Sequence, residues 1–131
     1  MREILFRGKI LGLTDWSYGY YAKSGENHFI LLDTDNEDNY SIVDPETVGQ
    51  YTGLKDKNGK RIFEGDIVRN NKYGEDNDTY DYYSIIFSNG SFRAQYLDNL
   101  EYTPKIYDIY FEGYEVIGNI HDNPELLEVK R

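Results

Sequence analysis

The sequence predicts a mainly β protein that folds as one domain. Three observations indicate this class: 14 Tyr, 6 Phe and 1 Trp among 131 residues, 12 glycines and 3 prolines that interrupt the chain, and short runs in which apolar and polar residues alternate. Aromatic residues suit the half-buried surface of a pleated sheet. Closely spaced glycine and proline leave room for short strands but little for long helices. We therefore expect an all-β fold of hairpins.

The N-terminal part of the chain predicts a hairpin followed by two more strands. Residues 3–11 and 16–23 form the hairpin through a turn at 12–15, because Trp16, Tyr18 and Tyr20 recur with period two along its second strand. The next strands are residues 28–32 and 40–43. The acidic segment 33–39 between them is typical of an exposed loop.

Turn residues divide the middle of the chain. Asn58-Gly59 and Asn89-Gly90 predict tight turns, since Asn and Gly tolerate positive φ. Asp44-Pro45-Glu46 and Glu64-Gly65-Asp66 predict two further turns. The strands expected between these turns cover residues 48–52, 61–63, 67–69, 82–87 and 91–96.

The C-terminal part alternates polar connections with short strands. The acidic segment 70–81 predicts a loop, and residues 97–102 fit either one helical turn or a bend before Pro104. Alternating residues at 107–111 and an apolar run at 115–120 predict the last strands. Asn123 is placed to cap a short helix that begins at Pro124, with little other helix expected.

Composition limits the classes of function. The formal net charge is -10, and the basic residues are spread along the chain, which disfavours direct contact with a phosphate backbone. There is no cysteine, so disulfides and zinc–thiolate sites are excluded. We also expect a soluble protein of the bacterial cytoplasm, because no apolar run reaches the roughly 20 residues of a membrane helix and the N-terminus does not resemble a signal peptide.

No catalytic pattern stands out. The stretch from Gly53 to Lys60 has the wrong glycine spacing for a phosphate-binding loop, and no serine sits in a nucleophile-elbow motif. Residues 33–44 alternate oxygen ligands as an EF-hand does but lack its turn glycine and final glutamate, so a plain acidic loop is favoured. Two carboxylate pairs flank turns and should be solvated: Asp44 with Glu46, and Glu64 with Asp66. We expect no enzyme activity, no cofactor and no metal.

Aromatic residues are the candidate binding site, since Tyr and Trp are favoured at the centres of protein interfaces. Strand alternation places Trp16, Tyr18 and Tyr20 on one face, where they are either a recognition surface or part of the core. The candidate protein-binding residues are Trp16, Tyr18, Tyr20, Tyr21, Tyr82, Tyr83, Tyr107 and Tyr110, with Tyr80 as a further member of the second group.

Four stretches carry a family resemblance: residues 1–9 (MREILFRGK), 16–21 (WSYGYY), 43–68 (VDPETVGQYTGLKDKNGKRIFEGDIV) and 118–126 (GNIHDNPEL). They resemble the YopX-like proteins of phages and prophages, and the sequence departs from that family pattern at 70–81 and 97–114. The resemblance implies a single YopX-like domain over residues 1–131, with an N-terminal hairpin region at 1–52 and an SH3-like, barrel-like region at 53–131. It also implies a phage or prophage origin, and a family whose biochemical role is undetermined.

Three functions remain open from the sequence. The first is a non-enzymatic module that binds itself or a host or phage protein through exposed tyrosines and free strand edges. The second is an acidic decoy that occupies a DNA-binding protein through the carboxylates of 33–44 and 75–81. The third is an SH3-like nucleic-acid binder, which requires a set of basic residues to converge: Lys55, Lys57, Lys60, Arg61 and Arg69.

Overall fold

The structure is a computed structural model that describes residues 3–32, 39–71, 79–97, 106–108 and 113–127. Of these residues, 62% lie in strands and 7% in short 3-10 helices, which confirms the mainly β prediction. The chain forms two compact units, Met1–Gly53 and Leu54–Arg131, each built on an antiparallel sheet.

The first unit contains the first five strands of the chain. They are β1 (Phe6–Lys9), β2 (Trp16–Ser24), β3 (Asn27–Leu31), β4 (Tyr40–Val43) and β5 (Gly49–Lys55), whose last residues pass into the second unit. They belong to a six-stranded sheet of order β4-β3-β2-β1-β5-β6, whose last strand is β6 (Arg61–Phe63). The strands from β4 to β5 in this order pair antiparallel. The 3-10 helix Pro45–Thr47 forms the predicted turn at Pro45.

The first sheet curls until β4 meets the end of β1. Val43 bridges to Ile10, and the Asp44 N–H donates to the Lys9 carbonyl at 2.9 Å. On the concave side, a Cβ added to Gly8 would lie 2.9 Å from the Cβ of Val43. Glycine is therefore required at position 8, and the buried positions on this side include Gly8, Ser17, Gly19, Ile30 and Val43.

The second unit contains the remaining strands. They are β6 (Arg61–Phe63), β7 (Asp66–Asn71), β8 (Tyr80–Ser88), β9 (Ser91–Tyr96), β10 (Ile106–Asp108) and β11 (Tyr114–Asn119). The order in its five-stranded sheet is β10-β9-β8-β7-β11, and a bulge interrupts β11 between Val116 and Gly118. The core of this unit consists of Ile62, Val68, Tyr83, Ile85, Ala94 and Tyr114.

Turn chemistry follows the sequence closely. Gly59 has a φ of +82°, while Asn89 and Gly90 have φ of +52° and +83°, so both Asn-Gly turns form where they were predicted. Each turn connects the strands expected on its two sides, β5 to β6 and β8 to β9. Since glycine tolerates positive φ without a Cβ clash, these residues set the strand register locally.

Several predicted boundaries differ from the structure. The first strand covers only Phe6–Lys9 because the chain turns from Ile10 onward, where it meets β4. A 3-10 helix begins at Pro124 as predicted, while the Asn123 side-chain oxygen accepts a hydrogen bond from the Asn119 N–H. Residues 98–102, 109–111 and most of the acidic segments 33–39 and 70–81 lie outside the described residues.

Candidate functional site

The outer side of β2, β3 and β4 carries a set of aromatic and aliphatic side chains. Residues directly opposite in an antiparallel ladder point to the same face of the sheet. Tyr20 pairs with Leu31, which pairs with Tyr40, and Phe29 pairs with both Ala22 and Ile42. Tyr18 joins them because it lies two residues before Tyr20. We call this set the tyrosine face: Tyr18, Tyr20, Ala22, Phe29, Leu31, Tyr40 and Ile42.

The tyrosine face is open to solvent. Tyr18 is 46% exposed, Tyr20 54%, Tyr40 50% and Ile42 38%. The alternative in which Tyr18 and Tyr20 belong to the core is therefore wrong, and Trp16 is only half-buried. The reason is the close packing on the concave side at Ser17 and Gly19, where a Cβ at Gly19 would lie 2.0 Å from the Leu31 carbonyl oxygen, so the neighbouring Tyr18 and Tyr20 face outward. A contiguous apolar surface on a folded chain often marks a binding site.

Contacts within the face and at its border fix some of these rings. The rings of Phe29 and Tyr40 meet edge to face at 5.4 Å between centroids. The guanidinium of Arg7, which is itself buried, lies 4.7 Å from the centre of the Trp16 ring. Trp16 is thus committed to an internal cation–π contact, while Tyr18, Tyr20 and Tyr40 present the open part of the surface.

The fourth aromatic candidate on β2 points the other way. Tyr21 pairs with buried Ile30, and its hydroxyl hydrogen-bonds Nδ1 of His28. Its ring also contacts Phe6 at 5.6 Å. Tyr21 is therefore half-buried on the concave side and is separate from the tyrosine face.

The candidates in the second unit do not form one surface. Tyr83 lies in the core, where the centroid of its ring is 5.5 Å from the ring centroids of both Tyr96 and Tyr114. Tyr82 and Tyr80 are half-buried on the opposite side of β8, with ring centroids 6.4 Å apart. Tyr107 occupies a position in β10 opposite Ala94, and Tyr110 lies outside the described residues.

Residues Phe29, Leu31, Tyr40 and Ile42 were not among the sequence candidates. A signal was present, because Tyr40 and Ile42 alternate with Ser41 and Val43 in a strand whose bounds were predicted correctly. What the sequence lacked was the pairing of β3 with β4, which aligns Tyr40 beside Leu31 and Ile42 beside Phe29.

Two sheet edges expected to be available for pairing are partly occupied by the chain itself. At β4, the Ile42 carbonyl accepts from the Leu11 N–H at 2.9 Å. At β11, the Tyr114 carbonyl accepts from the Lys57 N–H at 2.9 Å, and the Val116 N–H donates to the Asp56 carboxylate at 2.9 Å. These contacts leave fewer free main-chain groups at the two edges for an added strand.

The five basic residues that the nucleic-acid alternative requires have different surroundings. Lys55, Lys57, Lys60 and Arg61 are exposed, and Asp56 between them is buried and accepts hydrogen bonds from main-chain N–H groups. The Nε of Arg69 pairs with the Glu115 carboxylate at 2.7 Å, and its guanidinium carbon lies 4.1 Å from the centre of the Tyr80 ring. The hydrogen bond from Arg69 lowers the pKa of Glu115, and nearby Lys57 lowers it further. Arg69 is thus neutralised within the fold, which weakens the nucleic-acid alternative.

One expectation about carboxylates is corrected. Asp66 was expected to be solvated, but it is 1% exposed and accepts a hydrogen bond from the Phe63 N–H at 2.7 Å. The turn at Glu64-Gly65 folds the chain back so that the carboxylate satisfies the main chain of β6. The Asp44 side chain also binds the main chain nearby: it accepts a hydrogen bond from the Glu46 N–H at the start of the 3-10 helix.

The described part of the chain contains no group of three His, Asp or Glu side chains suited to a metal ion. Most of the calcium-like segment lies outside it; Asn39 is described, and its carbonyl accepts from the Leu32 N–H. Within the same residues, no helix is long and apolar enough to cross a bilayer.

The fold defines a mainly β protein with two antiparallel sheets and an aromatic outer face on the first. A family model described as YopX protein matches residues 13–128, and the chain belongs to this family, as the sequence resemblance indicated. The chain is also similar to the crystal structure of protein EF1440 from Enterococcus faecalis, at 26% identity and a TM-score of 0.54, covering 97% of this chain and 99% of that one. No curated protein matches the chain.

Proposed function

We propose that the protein is a non-enzymatic module of a phage or prophage that binds another protein through its tyrosine face in the cytoplasm of a bacterial host. The observation that carries this proposal is the exposure of Tyr18, Tyr20, Tyr40 and Ile42 on one side of three paired strands. Tyrosine is well suited to such contacts, since its ring buries a large area and its hydroxyl hydrogen-bonds at little entropic cost.

The proposal is tested by removing rings without changing charge. The Tyr20→Ser/Tyr40→Ser variant strips two rings from the face, and Phe87→Ser is the matched control because Phe87 is 55% exposed on β8 in the other unit. Immobilised wild type and both variants are incubated with bacterial extract, and the retained proteins are quantified by mass spectrometry. Light scattering after size exclusion measures self-association in parallel.

We expect at least one protein, or a second copy of the chain, to be retained by the wild type and by Phe87→Ser but lost with Tyr20→Ser/Tyr40→Ser. Identical retained proteins for all three chains, together with a monomer at every concentration, would contradict the proposal. Circular dichroism confirms that each chain is folded. Tyr20→Ser alone serves if the double variant is unstable, since Tyr40 also contacts Phe29.

The acidic-decoy alternative has less support. Most of its carboxylates lie outside the described residues, and the two that lie inside, Asp44 and Asp81, accept hydrogen bonds within the fold. Asp44 accepts from the Glu46 N–H, and Asp81 accepts from the Tyr96 hydroxyl at 3.2 Å. Carboxylates used within the fold are less available to imitate a row of phosphates.

A further inference from the structure

We propose that the Asn89-Gly90 turn is a site of spontaneous deamidation, a covalent change that the Asn58-Gly59 turn resists. The chain contains these two Asn-Gly pairs, and both lie in exposed turns that connect neighbouring strands. Asparagine is chemically labile, and a following glycine presents the least hindered main-chain nitrogen because it has no side chain. The inference goes beyond the proposed function and does not depend on the tyrosine face.

The reaction needs only the chain and water. The Gly90 main-chain nitrogen loses its proton and attacks the side-chain carbon Cγ of Asn89, so a new N–C bond forms. The C–N bond of the side-chain amide breaks, and the leaving group takes up a proton and departs as ammonia. Water then opens the resulting succinimide ring at either carbonyl, which gives aspartate or isoaspartate, each with an added negative charge. Closing the ring requires rotation of the asparagine backbone, so the turn must first open locally.

Hydrogen bonds hold the Asn58-Gly59 turn against this rotation. The nitrogen that would attack, that of Gly59, donates its hydrogen to the Asp56 carbonyl at 3.0 Å. The N–H groups of Asn58 and Lys60, on either side of Gly59, donate to one carboxylate oxygen of Asp56 at 2.9 Å each. The Asn58 side-chain nitrogen also donates to the Glu115 carboxylate at 3.5 Å. Opening this turn therefore breaks several bonds together, and two of them are to a buried charge.

The Asn89-Gly90 turn lacks such restraints within the described residues. Both residues are exposed, with φ of +52° and +83°. The bonds near the turn involve its neighbours: Ser88 pairs with Ser91, and the Arg93 Nε donates to the Ser88 carbonyl and the Ser91 hydroxyl at 3.2 Å each. None of the described hydrogen bonds involves the Asn89 side chain or the Gly90 N–H. Since an exposed hairpin end opens at a small cost in free energy, this turn reaches the reactive geometry more often.

The two products affect the hairpin differently. Aspartate tolerates positive φ as asparagine does, so the product with the normal linkage keeps the turn. In isoaspartate the main chain runs through the former side chain and is one carbon atom longer, which disturbs the pairing of Ser88 with Ser91. The adjacent rings of Phe87 and Phe92, which meet edge to face at 5.1 Å between centroids, lose part of their support. Only the isoaspartate product therefore weakens this end of β8 and β9.

The test compares the two sites within one chain. The full chain is aged in mildly alkaline buffer, both folded and unfolded in guanidinium chloride, then digested and analysed by mass spectrometry that separates aspartate from isoaspartate peptides. The unfolded chain is the control, because both Asn-Gly bonds are then free of any turn. Asn89→Gly and Asn58→Gly are matched variants, since glycine accepts the backbone of either turn and removes the reacting amide. Isoelectric focusing follows the gain of negative charge.

We expect similar rates at both sites in the unfolded chain. In the folded chain, deamidation at Asn89 should be at least roughly tenfold faster than at Asn58, because each bond to the Asp56 carboxylate alone opposes opening by about that factor. Acidic species should accumulate in Asn58→Gly as in the wild type and be reduced in Asn89→Gly. If a variant does not fold, the peptide analysis of the wild type decides by itself.

Two results would overturn the inference: a rate at Asn58 in the folded chain equal to or above that at Asn89, or equal protection of both sites by folding. The effect on the hairpin is measured on the two products of Asn89 after their separation by ion exchange. The isoaspartate form should unfold at a lower denaturant concentration than the aspartate form. Equal unfolding midpoints would contradict the role assigned to the Ser88–Ser91 pairing.

Discussion

The Asp56 carboxylate hydrogen-bonds both the turn after β5 and the bulged strand β11, and its replacement by asparagine should destabilise the second unit. One carboxylate oxygen, Oδ1, accepts from the N–H groups of Asn58 and Lys60 at 2.9 Å each. The other, Oδ2, accepts from the Val116 N–H at 2.9 Å. The residue is 6% exposed, so water cannot easily replace these partners. Asp56→Asn keeps the shape of the side chain but removes its charge and one acceptor.

The magnitude follows from the three bonds. An asparagine placed with its oxygen toward Asn58 and Lys60 turns its NH₂ group toward the Val116 N–H, so a donor faces a donor. A hydrogen bond to a charged group contributes about 1.5–3 kcal/mol, and an unsatisfied buried N–H costs about 1–3 kcal/mol. The two figures partly describe the same lost bond to the Val116 N–H, so they are not simply added. We expect Asp56→Asn to lower the free energy of unfolding by about 2–4 kcal/mol.

The assay is urea unfolding followed by circular dichroism at neutral pH, with Asp44→Asn as the matched control. Asp44 accepts one N–H, from Glu46 at 3.1 Å, in an exposed turn, and asparagine caps such a turn as well as aspartate does. We expect the control to change the free energy of unfolding by less than about 0.5 kcal/mol. A loss at Asp56 no larger than that at Asp44 would refute the role assigned to the three bonds.

The same variant has a pH signature. Burial raises the pKa of Asp56, but the hydrogen bonds from Val116, Lys60 and Asn58 outweigh it and lower the pKa below its usual range. A depressed folded-state pKa contributes stability above the unfolded value of about 3.9 and loses it as pH falls through the folded value. Asp56→Asn should therefore flatten the fall in stability below about pH 4. An unchanged acid slope would contradict this assignment.

Three further substitutions test the packing. Gly19→Ala would put a Cβ 2.0 Å from the Leu31 carbonyl oxygen, so we expect the free energy of unfolding in urea to fall by about 2 kcal/mol or more. A fall below about 0.5 kcal/mol would refute the close approach. Ile85→Ala, at a site 1% exposed, should lower the free energy of unfolding by about 2–5 kcal/mol. Phe87→Ala, at an exposed site on the same strand, should lower it by about 1 kcal/mol, and equal losses would contradict the burial of Ile85. Glu115→Gln removes the partly exposed ion pair with Arg69 and should lower the free energy of unfolding by at most about 1 kcal/mol, and by less at high salt. A larger loss that does not depend on salt would contradict the assignment of a surface ion pair.

Local chemistry explains how much of the fold was predictable. Positive φ at Gly59 and Gly90 needs residues that tolerate it, so Asn-Gly located two turns, and the strands beside them followed. The period of two along Trp16, Tyr18 and Tyr20 placed these residues on one face. The family resemblance, which the match over residues 13–128 confirms, added an expected β architecture, and the observed strands confirm that architecture.

The sequence by itself therefore determined the class of secondary structure, the main turns and the sharing of faces within each strand. Only the tertiary structure decided which face is outside. Both sides of β2 carry tyrosine, and the alternation of a single strand is the same whichever side is buried. Where Val43 meets Ile10 and β3 lies against β2, a side chain at Gly8 or Gly19 would collide with Val43 or Leu31, and this nonlocal packing leaves Tyr18 and Tyr20 on the side that faces solvent.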